Sequence, residues 1–213
     1  MADIQAEAAT FATTAPSAAL RLFAAAGVER TAACYFRVIS TQPGRVADRD
    51  FYLSRLDRLW QLDQPCDDLE REVRDWTTRL PEFATDSGPG GILRFAFEAV
   101  LCLQTASVLL TPTATPDDAR HASNSFLGFA DIIDNAENPF DPTAPVDLAA
   151  LLQSQPEHTG RHYLAEADEQ IHDLAELSGP RADTTPDTHL IGRLRRRAQE
   201  HGHHRLEALK ATQ

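Results

Sequence analysis

The apolar positions recur at intervals of three and four along almost the whole chain, the spacing of one face of an α-helix. From Pro16-Ser17 to about Ser40, Leu20, Phe23, Ala24, Gly27, Thr31, Cys34, Tyr35 and Val38 trace one such face. The Thr41 to Gly44 stretch, with its proline and glycine, predicts the stop. A second helix is expected from about Asp48 to Asp63, with Phe51, Leu53, Leu56, Leu59, Trp60 and Leu62 inward, and Pro65 breaks it. A third follows from Asp68 to about Leu80, carrying Leu69, Val73, Trp76 and Leu80 on one stripe.

After the glycine-rich turn at 87–91, the stretch GILRFAFEAVLCLQTASVLLT is apolar almost all round, which predicts the buried centre of a bundle. Thr115-Pro116-Asp117-Asp118 combines a capping hydroxyl, a proline at the first helical position and acids in the first turn. That helix is expected to reach about Asn135, burying Ala119, Ala122, Phe126, Phe129, Ala130 and Ile133. NPFDPTAP (138–145) reads as a crossing, then a short helix over 146–153, then another from about Glu157 to Leu177. Alternating strand patterns and internal repeats are absent from the sequence. The fold class is all-α: a helical bundle of five or more helices with a C-terminal basic helix. The expected division is a frayed Ala/Thr-rich N-terminus (1–15), a bundle domain (16–178), a linker (179–186) and a basic helix (187–213) packed on the bundle or on a partner.

Charge adds a surface to this picture. The 213 residues carry a net charge of −12, which argues against nucleic acid or an anionic membrane as partner of the whole body. The last thirty-three residues hold seven basic and four acidic side chains, so a basic tail follows an acidic body and contact between the two is expected. One lysine stands against nineteen arginines, a composition expected of a GC-rich, actinobacterial genome. Cys34, Cys66 and Cys102 are odd in number and far apart, as expected for a reducing cytoplasm and for Cys34 and Cys102 as small core hydrophobes. The N-terminus lacks the basic region of a secretory signal, and the longest apolar run carries Arg94, Glu98 and Gln104, too polar to cross a membrane.

The order of several stretches resembles the YjaG-like family of all-helical bacterial proteins of unknown function. The resemblance spans about residues 20–135. It rests on FAAAGVER (23–30) with Tyr35, FYLSRLDRLWQL (51–62), Leu80-Pro81, the Asp86-Ser87 turn before the apolar helix, and DDARHASNSFLGFADIID (117–134). It implies a helical fold and a soluble bacterial setting, and it carries over no catalytic residues.

Candidate chemistry is sparse. CDDLEREV (66–73) suggests a magnesium-binding aspartate box, but the position that needs a third acid holds Arg71, and the partner motif fails from both Asn124 and Asn135. Asp67 as a helix cap, with Asp68, Glu70 and Glu72 at the positive end, accounts for it. His158, His162 and Glu166 share a helix face at zinc-ligand spacing. On a helical wheel they lie with Glu169 and Asp173 opposite the apolar stripe Leu164, Ala167, Ile171, Leu174 and Ala175, which predicts a solvated face. HGHH (201–204) and RLRRR (193–197) read as helix-end and surface charge, so no metal, cofactor or nucleic acid is expected. Phosphate-loop, Rossmann and nucleophile-elbow patterns are missing from the sequence.

One constellation remains. Glu29 and Arg30 on the first apolar helix and Arg94 and Glu98 on the central one are charges in apolar surroundings, with Asp131 and Asp134 on the next helix able to join them. Buried charges need partners, so these six are either structural ties or a ligand site. The first functional reading is a cytoplasmic bundle acting by protein–protein interaction or self-association, in a regulatory or immunity-type role. The alternative is a small-molecule enzyme or self-resistance protein with an interhelical pocket near Glu29, Arg94 and Glu98.

Overall fold

The computed structural model describes residues 3–84, 88–137, 160–179 and 186–211. Over these residues the chain forms eight α-helices and one 3-10 turn, with no strand. They are α1 (Ile4–Thr14), α2 (Ser17–Ser40), α3 (Val46–Trp60), α4 (Leu69–Thr77), the 3-10 turn Pro81–Phe83, α5 (Leu93–Val108), α6 (Pro116–Glu137), α7 (Arg161–Leu177) and α8 (Thr188–Ala211). The all-α bundle expected from the periodicity is therefore the observed fold. The short helix expected over 146–153 and the crossing before it lie outside the described residues.

The centre of the bundle is α2, not α5. It touches α3, α5, α6, α7 and α8, and seventeen of its twenty-four residues are buried. Its alanine-rich middle explains this placement, because small side chains let neighbouring helices approach closely. Gly27 shows the limit: a methyl group added there would overlap the ring of Phe126 on α6. Phe126 is fully buried, a contribution of about 1.5–3 kcal/mol in area terms. The six positions expected on the inner face of α6 are all buried, as are Cys34 and Cys102.

Within the stretch expected to be frayed, Ile4–Thr14 form a helix. The Asp3 side chain accepts from the backbone N–H of Ala6 at 3.2 Å and starts α1. Ile4, Ala8 and Phe11 recur at helical spacing and are buried, and α1 packs on α6 and α7. A run of alanines and threonines carries little apolar signal, yet it suffices when a packing partner is present.

One expected helix cap is not made, and another helix end is held by an arginine that the sequence did not single out. Asp67 does not cap α4; Asp68 occupies the N-cap position without a side-chain cap bond, and its carboxylate pairs with Arg58 instead. Arg21, 8% exposed, donates to the carbonyls of Leu59 at 3.1 Å, Gln64 at 2.5 Å and Gln61 at 2.5 Å, and also to that of Arg58. A cation there satisfies the orphan carbonyls at the end of α3 and complements the helix dipole. At α6 the helix starts at Pro116 as expected, but the Thr115 hydroxyl does not act as the expected acceptor: it and the Thr115 backbone N–H both donate to Asp118 at 2.7 Å. Among the described residues, no helix is long and apolar enough to cross a membrane.

Candidate functional site: a buried ionic core

Ala167 and Leu174 of the expected apolar stripe of α7 are buried, but the polar stripe expected in solvent is buried as well. Glu166 is 0% and Asp173 1% exposed, and His162 and Gln170 are also buried, whereas Leu164 of the apolar stripe is 40% exposed. Glu169 is partly buried, and His158 lies outside the described residues. The polar stripe faces inward because it meets arginines from two other helices. From α2, Arg30 donates through Nε to Glu166 Oε2 at 3.0 Å and through Nη2 to Oε1 at 2.9 Å. Its Nη1 reaches Asp173 Oδ2 at 2.6 Å. From α8, Arg205 donates to Glu166 Oε2 at 2.5 Å, and Arg197 donates to Asp173 Oδ1 at 2.5 Å and to Glu176 Oε2 at 3.1 Å.

An amide link extends the cluster to α6. Gln170 donates to Glu166 Oε1 at 2.9 Å, and the Ser123 hydroxyl donates to Gln170 Oε1 at 2.6 Å. Four helices thus meet at one set of charges. Arg30, Arg205, Glu166 and Asp173 are each at most 1% exposed and their charges cancel. Arg30, Glu166 and Asp173 meet the condition under which buried ions are tolerated, paired and multiply hydrogen-bonded, whereas Arg205 is paired through one hydrogen bond. Two nitrogens of Arg205, Nε and Nη1, have no hydrogen-bond partner; the Phe129 ring lies 5.9 Å from its Cζ, within cation–π range.

The field inside the cluster follows from these contacts. Burial pushes the Glu166 carboxyl up, but Arg30 and Arg205 outweigh it and hold its pKa at about 2. Burial and the charge of Arg205 push His201 down to about 3, so that imidazole is neutral. Burial pulls Arg30 down, and Glu166 and Asp173 more than reverse it. Burial raises the Cys34 thiol to about 12 and keeps it unreactive.

The six candidate residues do not converge on one site. Glu29, 8% exposed, accepts from Trp60 Nε1 at 2.7 Å and from Gln199 Nε2 at 3.1 Å, with Arg195 Nε 3.4 Å away. It ties α2 to α3 and α8. Its neighbour Arg30 belongs to the ionic core. Arg94 and Glu98 pair with each other at 3.7 Å on α5, with the Arg94 side chain 57% exposed, and burial raises the Glu98 carboxyl. Asp131 accepts from Asn135 at 3.0 Å. Asp134 accepts from the backbone N–H groups of His162 at 3.0 Å and Tyr163 at 2.9 Å, and so caps α7. Because the pair is long and its Arg94 side chain lies in solvent, although Glu98 is half-buried, Glu98→Ala is expected to change stability by less than about 1 kcal/mol. Urea unfolding followed by circular dichroism checks this; a larger loss means that Glu98 is a buried tie.

Four arginines of the basic tail pair within the molecule. Besides Arg197 and Arg205, Arg195 pairs with Asp57 at 2.5 Å, and Arg193 pairs with Glu176. The C-terminal helix packs along α2. Sequence reasoning missed Glu166, Asp173 and Arg205. The signal for them was Arg30 itself: an arginine in the middle of an alanine-rich central helix demands carboxylates from elsewhere, and α7 carries acids at matching turns. No protein-family model, no curated protein and no solved structure matches the chain.

Proposed function

We propose that this protein acts by binding another protein, a second copy included, and that its charged centre is a lock between helices rather than a reaction site. The supporting observation is charge balance: the fully buried ions pair with one another and their charges cancel. The recesses that face solvent are of a different kind. A groove of about 680 Å³ along α3 is lined by alternating charge, including Asp50, Arg55, Asp57, Arg58 and Glu72, around Leu53, which is 41% exposed. A mixed polar surface with an apolar centre suits a protein partner. A cytoplasmic, actinobacterial setting and the resemblance to the YjaG-like family belong to the same proposal.

A second reading rests on one observation. A recess of about 360 Å³ has Ile92, Phe95, Ile132 and Leu209 on its walls and Arg94 and Asn135 among its polar groups, a composition that suits a small amphipathic molecule. Native mass spectrometry of the protein isolated gently from its own cells separates the two. A protein bound at fixed stoichiometry supports the interaction reading. A small-molecule adduct lost in Arg94→Ala supports the second and overturns the first.

A further inference from the structure

Asp134 and Glu137 stand one turn apart at the end of α6, and His162 is the second residue of α7. One ligand atom from each lies within 4.8 Å of the others. We propose that these three side chains form a binding site for a first-row transition-metal dication.

The site is built rather than incidental. Both oxygens of Asp134 accept backbone N–H groups of α7, which fixes the carboxylate in place. Gly160, the residue that precedes α7, is needed for this approach: a Cβ there would collide with the Asp134 carboxylate. The imidazole supplies the second observation. His162 is 9% exposed, and its Nε2 is buried with no hydrogen-bond partner. That nitrogen lies 3.3 Å from Glu137 Oε2 without the geometry of a hydrogen bond. A dication accepts lone pairs from all three side chains at once.

The donor set gives the class. One imidazole nitrogen with two carboxylates suits zinc, manganese or iron, whereas magnesium and calcium prefer oxygen alone. Three protein ligands also leave a coordination position for water. The competitor is Arg161, which donates through Nε to Glu137 Oε2 at 3.0 Å and pairs with Oε1 through Nη2. Its side chain is 71% exposed, so it can swing into water at small cost. A metal site and an ordinary ion pair therefore make opposite predictions for Arg161.

The test is a Co²⁺ titration of the full chain against a chromophoric chelator near neutral pH. His203→Ala and His204→Ala are present throughout to remove the exposed histidines of the C-terminal helix. One equivalent of Co²⁺ is expected to bind, with the visible absorption of a nitrogen- and oxygen-ligated ion. Glu137→Gln and His162→Asn each weaken it by at least about tenfold, while their circular dichroism and urea midpoints report that they fold. Arg161→Ala tightens it by about two- to fivefold. Absence of stoichiometric binding, unchanged affinity in folded His162→Asn, or weaker binding in Arg161→Ala overturns the assignment. The arginine variant keeps the test decisive if either ligand variant fails to fold.

Discussion

Glu166→Gln is expected to lower the free energy of unfolding by about 3–5 kcal/mol, because it removes one partner of a buried ion cluster and leaves the other charges in place. Glu166 accepts from Arg30, Arg205 and Gln170. Without its charge, Arg205 loses the carboxylate it pairs with. Arg30 retains Asp173, which Arg197 already shares. A net positive charge then sits in the centre of the bundle, where neither guanidinium reaches water. Glutamine keeps the volume of the side chain, so a cavity does not explain the loss. Glu166→Leu combined with Arg30→Met should recover part of the stability, since an acid and a base leave together, but not all of it, because Arg205 still lacks its partner. Urea unfolding of the two variants beside the parent provides the measurement. A loss under about 1 kcal/mol for Glu166→Gln, the range of exposed pairs, would show that the cluster is open to water.

The second large effect is a loss of stability that begins well above the carboxylate range as the solution is acidified. In the native state His201 is held down to about 3, from an ordinary 6.5. Between those values the unfolded chain binds a proton that the native chain refuses, so stability rises with pH there and falls as pH drops from about 6.5. One such proton accounts for at most about 1.4 kcal/mol per pH unit. His162, pushed down by burial, adds in the same direction. Glu166 does too, lower on the scale: its stabilisation is complete above 4.5 and is lost as pH falls towards about 2. Glu169, raised by burial, works oppositely. Its share is complete below its unfolded pKa and is lost as pH rises through the native one.

In the window from about pH 6.5 to about pH 4.5 the histidines lower stability on acidification, and Glu169 and Glu98, both raised by burial, oppose them. The groups around His201 that set its proton affinity are Arg205, Glu166, Arg30 and His204, with Glu169 3.8 Å from its Nδ1. Urea midpoints measured across that window should fall in the parent and fall less in His201→Asn. Parallel curves for the two proteins would mean that His201 is solvated and titrates normally.

Particular helices show what was legible. For α2 and α6, the three-and-four spacing of large apolar residues gave both the extent and the inner face. The reason is that transfer of apolar area from water is local to each residue and dominates their energetics. For α7 the same reasoning put Glu166 and Asp173 in water. A hydrophobic wheel ranks faces by transfer free energy alone, and it has no way to register a buried carboxylate whose partner lies 136 positions earlier, as Glu166 and Arg30 do. The six candidates do not meet at one site for a related reason. Glu29 and Arg30 are adjacent in the chain but nearly 100° apart on the helix, so they face different neighbours, while Arg94 and Glu98 needed only each other.

The sequence by itself determined the fold class, most helix boundaries and the apolar core, because these follow from periodicity and from the proline, glycine and capping residues that start and stop helices. Only the tertiary structure decided which helix is central, that α1 is ordered, and that the acids of α7 point inward to Arg30 and Arg205. Those outcomes depend on the pairing of charges and the close approach of small residues between distant segments, and both are properties of the assembled bundle.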